Sequence, residues 1–342
     1  MSVKIENSYL AEPEYDQWDD FVSRSSYGSI YSTSKYLEIL CSVTGGVFKI
    51  LVAKQGDKIV GGIGLYIKQS QQGEFVAPRL LLYYNGIVLQ DFDTAYHSKL
   101  ISRQIATLAA LEGTLSRERF KSVHFRNRHS FYDARVFLSH KWIARLNYTY
   151  TVYIDDIDKL WSRVDPNLRR LINRCEKQGY TLVKDEDFDT FYDLHLKTHE
   201  RKGAPLYLSY KDYKIFYERL KSQDLCSLYH ARNAEGRSVS SQLVLLGSHP
   251  VTHTVCAATD EAFLNSGVSA FLRWKVFADL SKQGYQANDL TDAALNPVTR
   301  FKSQLGGELQ LCIDLVKPTT IHLRIDQLLI KKLKRRIKKI IY

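Results

Sequence analysis

The sequence predicts a mixed fold of the α/β (α+β) class, built from two similar halves. Three observations predict it. Strand-like and helix-like stretches alternate along the whole chain instead of segregating. A hairpin pattern in the first half returns in the second, as in a duplicated unit of about 150 residues. The chain is 342 residues long, with 44% hydrophobic and 25% charged residues, which is globular composition and a length that usually splits into about two cores.

Each element follows from local chemistry. Trp18, Phe21 and Val22 fall at helical spacing within Tyr15 to Ser23, and Ser34 stands where it caps a helix carrying Tyr36, Leu37, Ile39 and Leu40. Phe48 to Ala53, the turn Gln55-Gly56-Asp57 and Lys58 to Ile67 read as a hairpin. Leu80 to Leu89 reads as further strand, Lys99 to Leu115 as a helix and Ser122 to Arg126 as a short strand. Asp165 and Pro166 are the pairing favoured at a helix start, and Gly179 ends that helix. Asp187 to Lys202 and Tyr210 to Gln223 read as two more helices.

The second hairpin runs from Ser227 to Leu246 around Asn233-Ala234-Glu235-Gly236. Aligning Ile59-Val60-Gly61-Gly62 with Val239-Ser240-Ser241-Gln242 places small residues at matching positions of the two hairpins. Strand, helix, strand, short helix and strand follow at Val251 to Ala257, Gly267 to Gln283, Ala287 to Leu290, Pro297 to Leu305 and Gly307 to Ile313. There are 22 tyrosines and one methionine. That much tyrosine suits strands first, and a cleft for a polar substrate second.

The net charge of +11 is uneven. Lys331, Lys332, Lys334, Arg335, Arg336, Lys338 and Lys339 crowd the last twelve residues, leaving 41 basic against 37 acidic residues in the body. The body is therefore only mildly basic, and the charge does not mark the whole protein as a nucleic-acid binder. Five scattered cysteines with no Cys-x-x-Cys pair argue against a disulfide framework or a zinc ribbon. Residues 1–20 are polar and acidic, and no apolar run approaches the roughly 20 residues of a bilayer span. The expectation is a reduced, cytoplasmic protein.

Several motifs bear on chemistry. Gly61-Gly62-Ile63-Gly64 lies within a strand, where close packing explains it better than dinucleotide binding. No phosphate-loop sequence is present, which excludes that route to ATP hydrolysis. His195 and His199 share a helix face, but Glu200 stands beside them and not between, so no metal is expected. Leu264-Asn265-Ser266-Gly267-Val268-Ser269 follows a strand and opens an apolar helix, an arrangement that suits either an anion or a plain helix cap. Lys302 sits at the edge of the apolar face of a short helix ended by Gly306-Gly307. There it either stabilises an oxyanion or phosphate or is simply solvated. Residues Arg324 to Tyr342 form a basic amphipathic pattern with Ile325, Leu329, Leu333 and Ile337 in one stripe. A membrane surface, RNA or docking on protein are the competing uses, and the wide apolar stripe favours an anionic membrane.

Taken in order, these segments resemble the Fem-like (FemAB-like) branch of the GNAT acyltransferase superfamily. The resemblance rests on Trp18-x-x-Phe21-Val22 with Gly28 to Ser34, and on the Arg-rich helix Arg169 to Gly179. It continues through Thr198-x-x-Arg201-Lys202-Gly203, Gly267-Val268-Ser269, Asn288-Asp289-Leu290 and Phe301-Lys302 with Gly306-Gly307. It implies two tandem GNAT-like domains, at 1–150 and 151–318, each a mixed twisted sheet flanked by helices, with 319–342 as the basic tail. It further implies an acyl- or aminoacyl-transferase acting on an amino or hydroxyl group of a cell-envelope polysaccharide or peptidoglycan precursor. The acceptor would be a nucleotide-linked or lipid-linked sugar, and the donor acyl-CoA or aminoacyl-tRNA, with no bound cofactor. The usual coenzyme A loop has Arg or Gln where Leu264 stands.

On this reading Lys302 stabilises charge, and Asp289 and Asp292 are candidate bases. Gly267, Val268, Ser269 and Phe301 meet the donor. Tyr83, Tyr84, Asn85 and Arg201 meet the acceptor. The seven tail cations hold the protein at the inner face of the membrane. The competing reading is a non-catalytic scaffold that recruits glycan-assembly partners to the membrane surface. An RNA-binding module is a third.

Overall fold

The computed structural model describes residues 4–79, 81–295 and 297–317. The expected amphipathic tail and Asn296 lie outside the described residues. In the first half the chain forms β1 (Glu6–Tyr9), α1 (Tyr15–Arg24), α2 (Ser34–Thr44), β2 (Val47–Gln55), β3 (Lys58–Ser70), β4 (Gly73–Val76), β5 (Val88–Leu89), α3 (His97–Arg117) and β6 (Ser122–Arg126). There follow α4 (Arg135–Ser139), β7 (Ile143–Tyr153), α5 (Ile157–Arg163), α6 (Pro166–Lys177), β8 (Thr181–Lys184), α7 (Phe188–Arg201) and α8 (Tyr210–Ser222). The last group is β9 (Cys226–Arg232), β10 (Ser238–Leu245), β11 (Val251–Thr259), α9 (Val268–Lys282), β12 (Ala287–Asp289), α10 (Pro297–Gln304) and β13 (Glu308–Lys317).

Local chemistry fixes the ends of these elements. Asp165 accepts from the Asn167 amide at 2.8 Å and caps α6. The cap of α2 is Thr33, one residue earlier than expected. Ser34 is instead drawn to Asp19, donating its amide at 2.6 Å and its hydroxyl at 2.8 Å. The expected strand at 80–89 shortens to Val88–Leu89. Asn85 spends its side chain on the neighbouring β6 backbone, bonding His124 O and the Arg126 amide. A Cβ on Gly86 would lie 2.3 Å from Asn127 Oδ1, so the chain passes β6 here too closely for a strand with side chains.

The described strands form one sheet in the order β1-β2-β3-β4-β6-β13-β7-β12-β11-β10-β9-β8, with β5 added beside β3. Pairings are antiparallel except β4 with β6 and β11 with β12. Each parallel pair is bridged by a helix, α3 in the first half and α9 in the second, as parallel strands require. Both hairpins carry a bulge at the same place, at Val60 opposite Ala53/Lys54 and at Val239 opposite Ala231/Arg232. The duplication is therefore visible in the backbone. It equates Gly61 with Ser240, one residue away from the sequence alignment.

The boundary at 150/151 falls inside β7, and β13 crosses back to pair with β6. One core cluster fills the first half around Trp18, Leu108 and Phe125, and another fills the second around Ile172, Phe271 and Phe277. A third lies at the junction, where Tyr31, Tyr36 and Leu37 pack with Phe191, Tyr213 and Phe216. Tyrosine thus serves the strands, with six residues, and the α-helices, with six more. The phenols find buried partners: Tyr207 and Tyr213 hydroxyls lie 2.8 and 2.9 Å from Cys256 Sγ. Cys256 is free and buried, as are Cys175, Cys226 and Cys312.

Candidate active site

Strands β11 and β12 run together over three residue pairs, ending at His253–Asp289, and then part. β11 continues to Thr259 while the chain leaves β12 through Thr291 and Asp292, both with left-handed backbone (φ 47° and 60°). A β-branched residue adopts that conformation only under constraint. The constraint comes from Asp289, whose Oδ1 accepts from the Thr291 amide at 2.8 Å.

Beyond the parting, a cleft of about 620 Å³ opens between β11, α6, α7, α9 and α10. Its floor is Ala257, Ala258 and Thr259, and its upper end is the start of α9. Gly267 caps that helix with φ 92°, and a Cβ there would lie 2.7 Å from the Leu171 side chain. Only glycine fits both conditions. Ser266 Oγ accepts from the Val268 amide, and Ser269 Oγ pairs with Thr259 Oγ1 at 2.8 Å. The helix start is thereby fastened to the strand beneath it.

Gly267, Ser269 and Phe301 line this cleft together, as expected for one binding surface. Val268 is wholly buried beneath it, so only its backbone is placed to take part. Arg201 lines the same cleft, on the side expected for the donor and not in a separate acceptor site.

Lys302 follows Phe301 on α10. Its ammonium donates to the Asp292 carbonyl at 2.7 Å and to the Thr291 carbonyl. The two left-handed residues aim those carbonyls at it. Burial, reinforced by the nearby Arg273 charge, pushes the lysine down to about 8, against the opposing pull of Asp292 and Asp289. An ammonium has three donors, and two are held by backbone.

Asp289 is fully buried. Its oxygens accept from Tyr84 at 2.7 Å and Thr149 at 2.6 Å, besides the Thr291 amide. The carboxylate expected as a base is thus enclosed and held by three donors. Asp292 is exposed, and its carboxylate closes a short turn on the Ala294 amide at 3.2 Å.

Tyr84 and Asn85 are buried and fully engaged, which removes them from any open acceptor surface. Tyr83 is half-buried, with the Arg126 guanidinium 5.0 Å from its ring centre. Burial raises its phenol well above the usual range.

Sequence reasoning missed Arg273. It lines the cleft from α9, and no hydrogen bond or ion pair engages it among the described residues. Burial pushes its guanidinium down to about 10. In Phe271-Leu272-Arg273-Trp274 it reads as an ordinary surface cation, and no local signal reports the missing solvent.

Residues 162–303 match the acetyltransferase (GNAT) domain family. The fold resembles that of a crystal structure of FemX, with a TM-score of 0.70 and 13% identity over 90% of this chain and 96% of that one. The structure of L-PGS from Bacillus licheniformis superposes with a TM-score of 0.58 and 12% identity, covering 92% of this chain and 96% of that one. A tandem GNAT protein from the clavulanic acid biosynthesis pathway gives 0.53 and 12%, covering 92% and 98%. No curated protein matches the sequence significantly. Residues 162–303 thus match the acetyltransferase (GNAT) domain family, and the chain as a whole shares the fold of FemX and of a tandem GNAT protein.

Proposed function

We propose that the protein transfers an acyl or aminoacyl group to an amine, or a hydroxyl, of a cell-envelope precursor, and that the cleft over β11 holds the donor. The observation that carries the reading is the parting of β11 from β12 beside Phe301 and Lys302. It leaves a strand edge and a helix N-terminus around one cavity, with Lys302 adjoining the lining residue Phe301 on α10. The donor is a coenzyme A thioester or an aminoacyl-tRNA. The fold similarity to FemX and to L-PGS supports an envelope acceptor.

The chemistry asked of the protein is modest. The acceptor nitrogen forms a bond to the donor carbonyl carbon, and the carbonyl electron pair moves to oxygen. Collapse expels the thiolate or the ribose oxygen, which ends with the proton the amine gives up. Holding the two substrates together supplies most of the acceleration. The third N–H of Lys302 stabilises the oxyanion, a contribution of about 3–4 kcal/mol where such donors have been removed. Asp292, whose backbone carbonyl accepts from this lysine, has an exposed carboxylate and is the candidate to take the proton.

Among the described residues no helix is long and apolar enough to cross a membrane. In this proposal the basic stripe at 324–342 brings the protein to an anionic surface where lipid-linked acceptors lie. The test is transfer of a labelled acyl or aminoacyl group to sugar-nucleotide and lipid-linked acceptors. Lys302→Met is expected to lower turnover at least 100-fold while the melting temperature moves by no more than about 2 °C. Unchanged turnover in that variant refutes the role of Lys302. No transfer by the unaltered chain from any donor favours the scaffold reading.

A further inference from the structure

The donor cleft holds two polar groups that the fold itself leaves without partners. Arg273 Nη1 is buried and unbonded, and so is Thr198 Oγ1, on a residue only 7% exposed. Both line the same cavity, one from α9 and the other from α7. A buried donor without a partner is costly, and a buried guanidinium more so. Neighbouring groups do not neutralise it. Arg201 and Lys202 are exposed, and among the described residues no aspartate or glutamate lines the cleft. Lys302 adds a further positive charge close enough to repel Arg273.

Ser269 and Ala270, one turn earlier on α9, line the cavity together with Arg273, near the end where the helix dipole is positive. Ser269 is itself committed to Thr259, which leaves Arg273 and Thr198 as the unspent donors. Shape and charge therefore specify the same occupant.

We propose that Arg273 and Thr198 form an anion-binding subsite within the cleft, and that the ligand held there carries a carboxylate or phosphate whose oxygens accept from Nη1 and Oγ1. The inference rests on the transferase reading only for calling that ligand the donor. The anion is either a phosphate of the donor's nucleotide portion or a carboxylate on the acyl group. Arginine pairs with both through the same parallel N–H bonds.

The test uses the full chain with inorganic pyrophosphate, inorganic phosphate and succinate as probes, in calorimetric titration and thermal denaturation against chloride at equal ionic strength. Saturable binding of at least one of the three is expected. A response to pyrophosphate points to the nucleotide end, and a response to succinate to the acyl end. Arg273→Met is expected to weaken binding at least tenfold and Thr198→Val about threefold. Without anion, Arg273→Met is expected to melt at the same temperature as the parent or higher, because an unpaired charge is replaced by an apolar chain of similar length. Three results would overturn the proposal: no response to any probe, equal responses from the parent and both variants, or a ligand-free Arg273→Met protein that melts several degrees lower. Anion binding in a chain that transfers nothing would retire the transferase reading and leave the subsite standing.

Discussion

The two copies of the hairpin unit share a backbone, down to the bulge at Val60 and Val239, yet their surfaces are finished in opposite ways. In the first copy, glycines let helices lie directly on β3. A Cβ on Gly61 would meet Thr107 of α3 at 2.6 Å, and one on Gly62 would meet Trp18 of α1 at 2.6 Å. In the second copy the position of Gly61 is taken by Ser240, which faces the cleft and bonds Thr259 Oγ1 at 2.8 Å. The first copy does have a surface groove of about 580 Å³ beside α3, but no residue lining it carries an orphaned buried polar atom among those described. Glycines on the strand bring helices down onto one copy; small polar side chains on the other line a cleft with unspent donors.

The largest expected effect concerns the junction that joins the copies. His249 bonds the Ser25 carbonyl at 3.1 Å, and His253 packs its ring 4.9 Å from that of Tyr31. Burial holds them down to about 3 and about 4, with the Arg128 charge adding to the effect at both. The unfolded chain, with ordinary histidines near pH 6.5, binds more protons in this range. Stability is therefore full above pH 6.5 and falls as the pH drops toward 4, by up to about 1.4 kcal/mol per pH unit for each group. From pH 6.5 to 5 the two together cost about 3 kcal/mol. His129 and His195, held down to about 4 and about 3, add to the same fall. Urea midpoints across this range check it, and His253→Leu should remove about 1.5 kcal/mol of the loss. A flat profile would mean that the junction does not depend on neutral histidines.

Gly62→Val comes next. It should destabilise the protein by about 3 kcal/mol, because the new side chain meets both the Trp18 ring and the Leu51 carbonyl. An unchanged denaturation midpoint would show that α1 can lift off β3, and that the first copy is less sealed than it looks. Ser240→Ala is the smallest. Losing its bonds to Ala258 O and Thr259 Oγ1 should cost about 1 kcal/mol. A much larger loss would show that the open copy is as tightly determined as the closed one.

Local pattern carried the two hairpins and the longer helices because periodicity and caps are local, but it missed the short α4 and α5 and the strand β7. The Asp165-Pro166 start and the Gly267 turn are legible for the same reason. Neighbours across the sheet are not. β7 shows strand alternation in Tyr148, Tyr150 and Val152, but nothing in that run says that it lies between β12 and β13. The site divides along the same line. Phe301, Gly267 and Ser269 were found through segments whose order carries meaning. Arg273 and Thr198 matter because of what fails to surround them, a property of packing that no stretch of residues displays. Asp289 was found for its charge, while its burial and three bonding partners are products of packing that the sequence does not display.

The passage of β13 back into the first half has a consequence for synthesis on the ribosome. Arg126 of β6 and Asp314 of β13 are partners 188 residues apart. At about 5–20 residues per second, β6 waits roughly 10–40 s for its neighbour strand to be made. During that time one side of β6 is an open template for pairing with another chain. The nascent first half is thus the aggregation-prone stage in the life of this protein, and a chaperone that covers β6 until translation reaches Lys317 would raise yield without touching the finished fold.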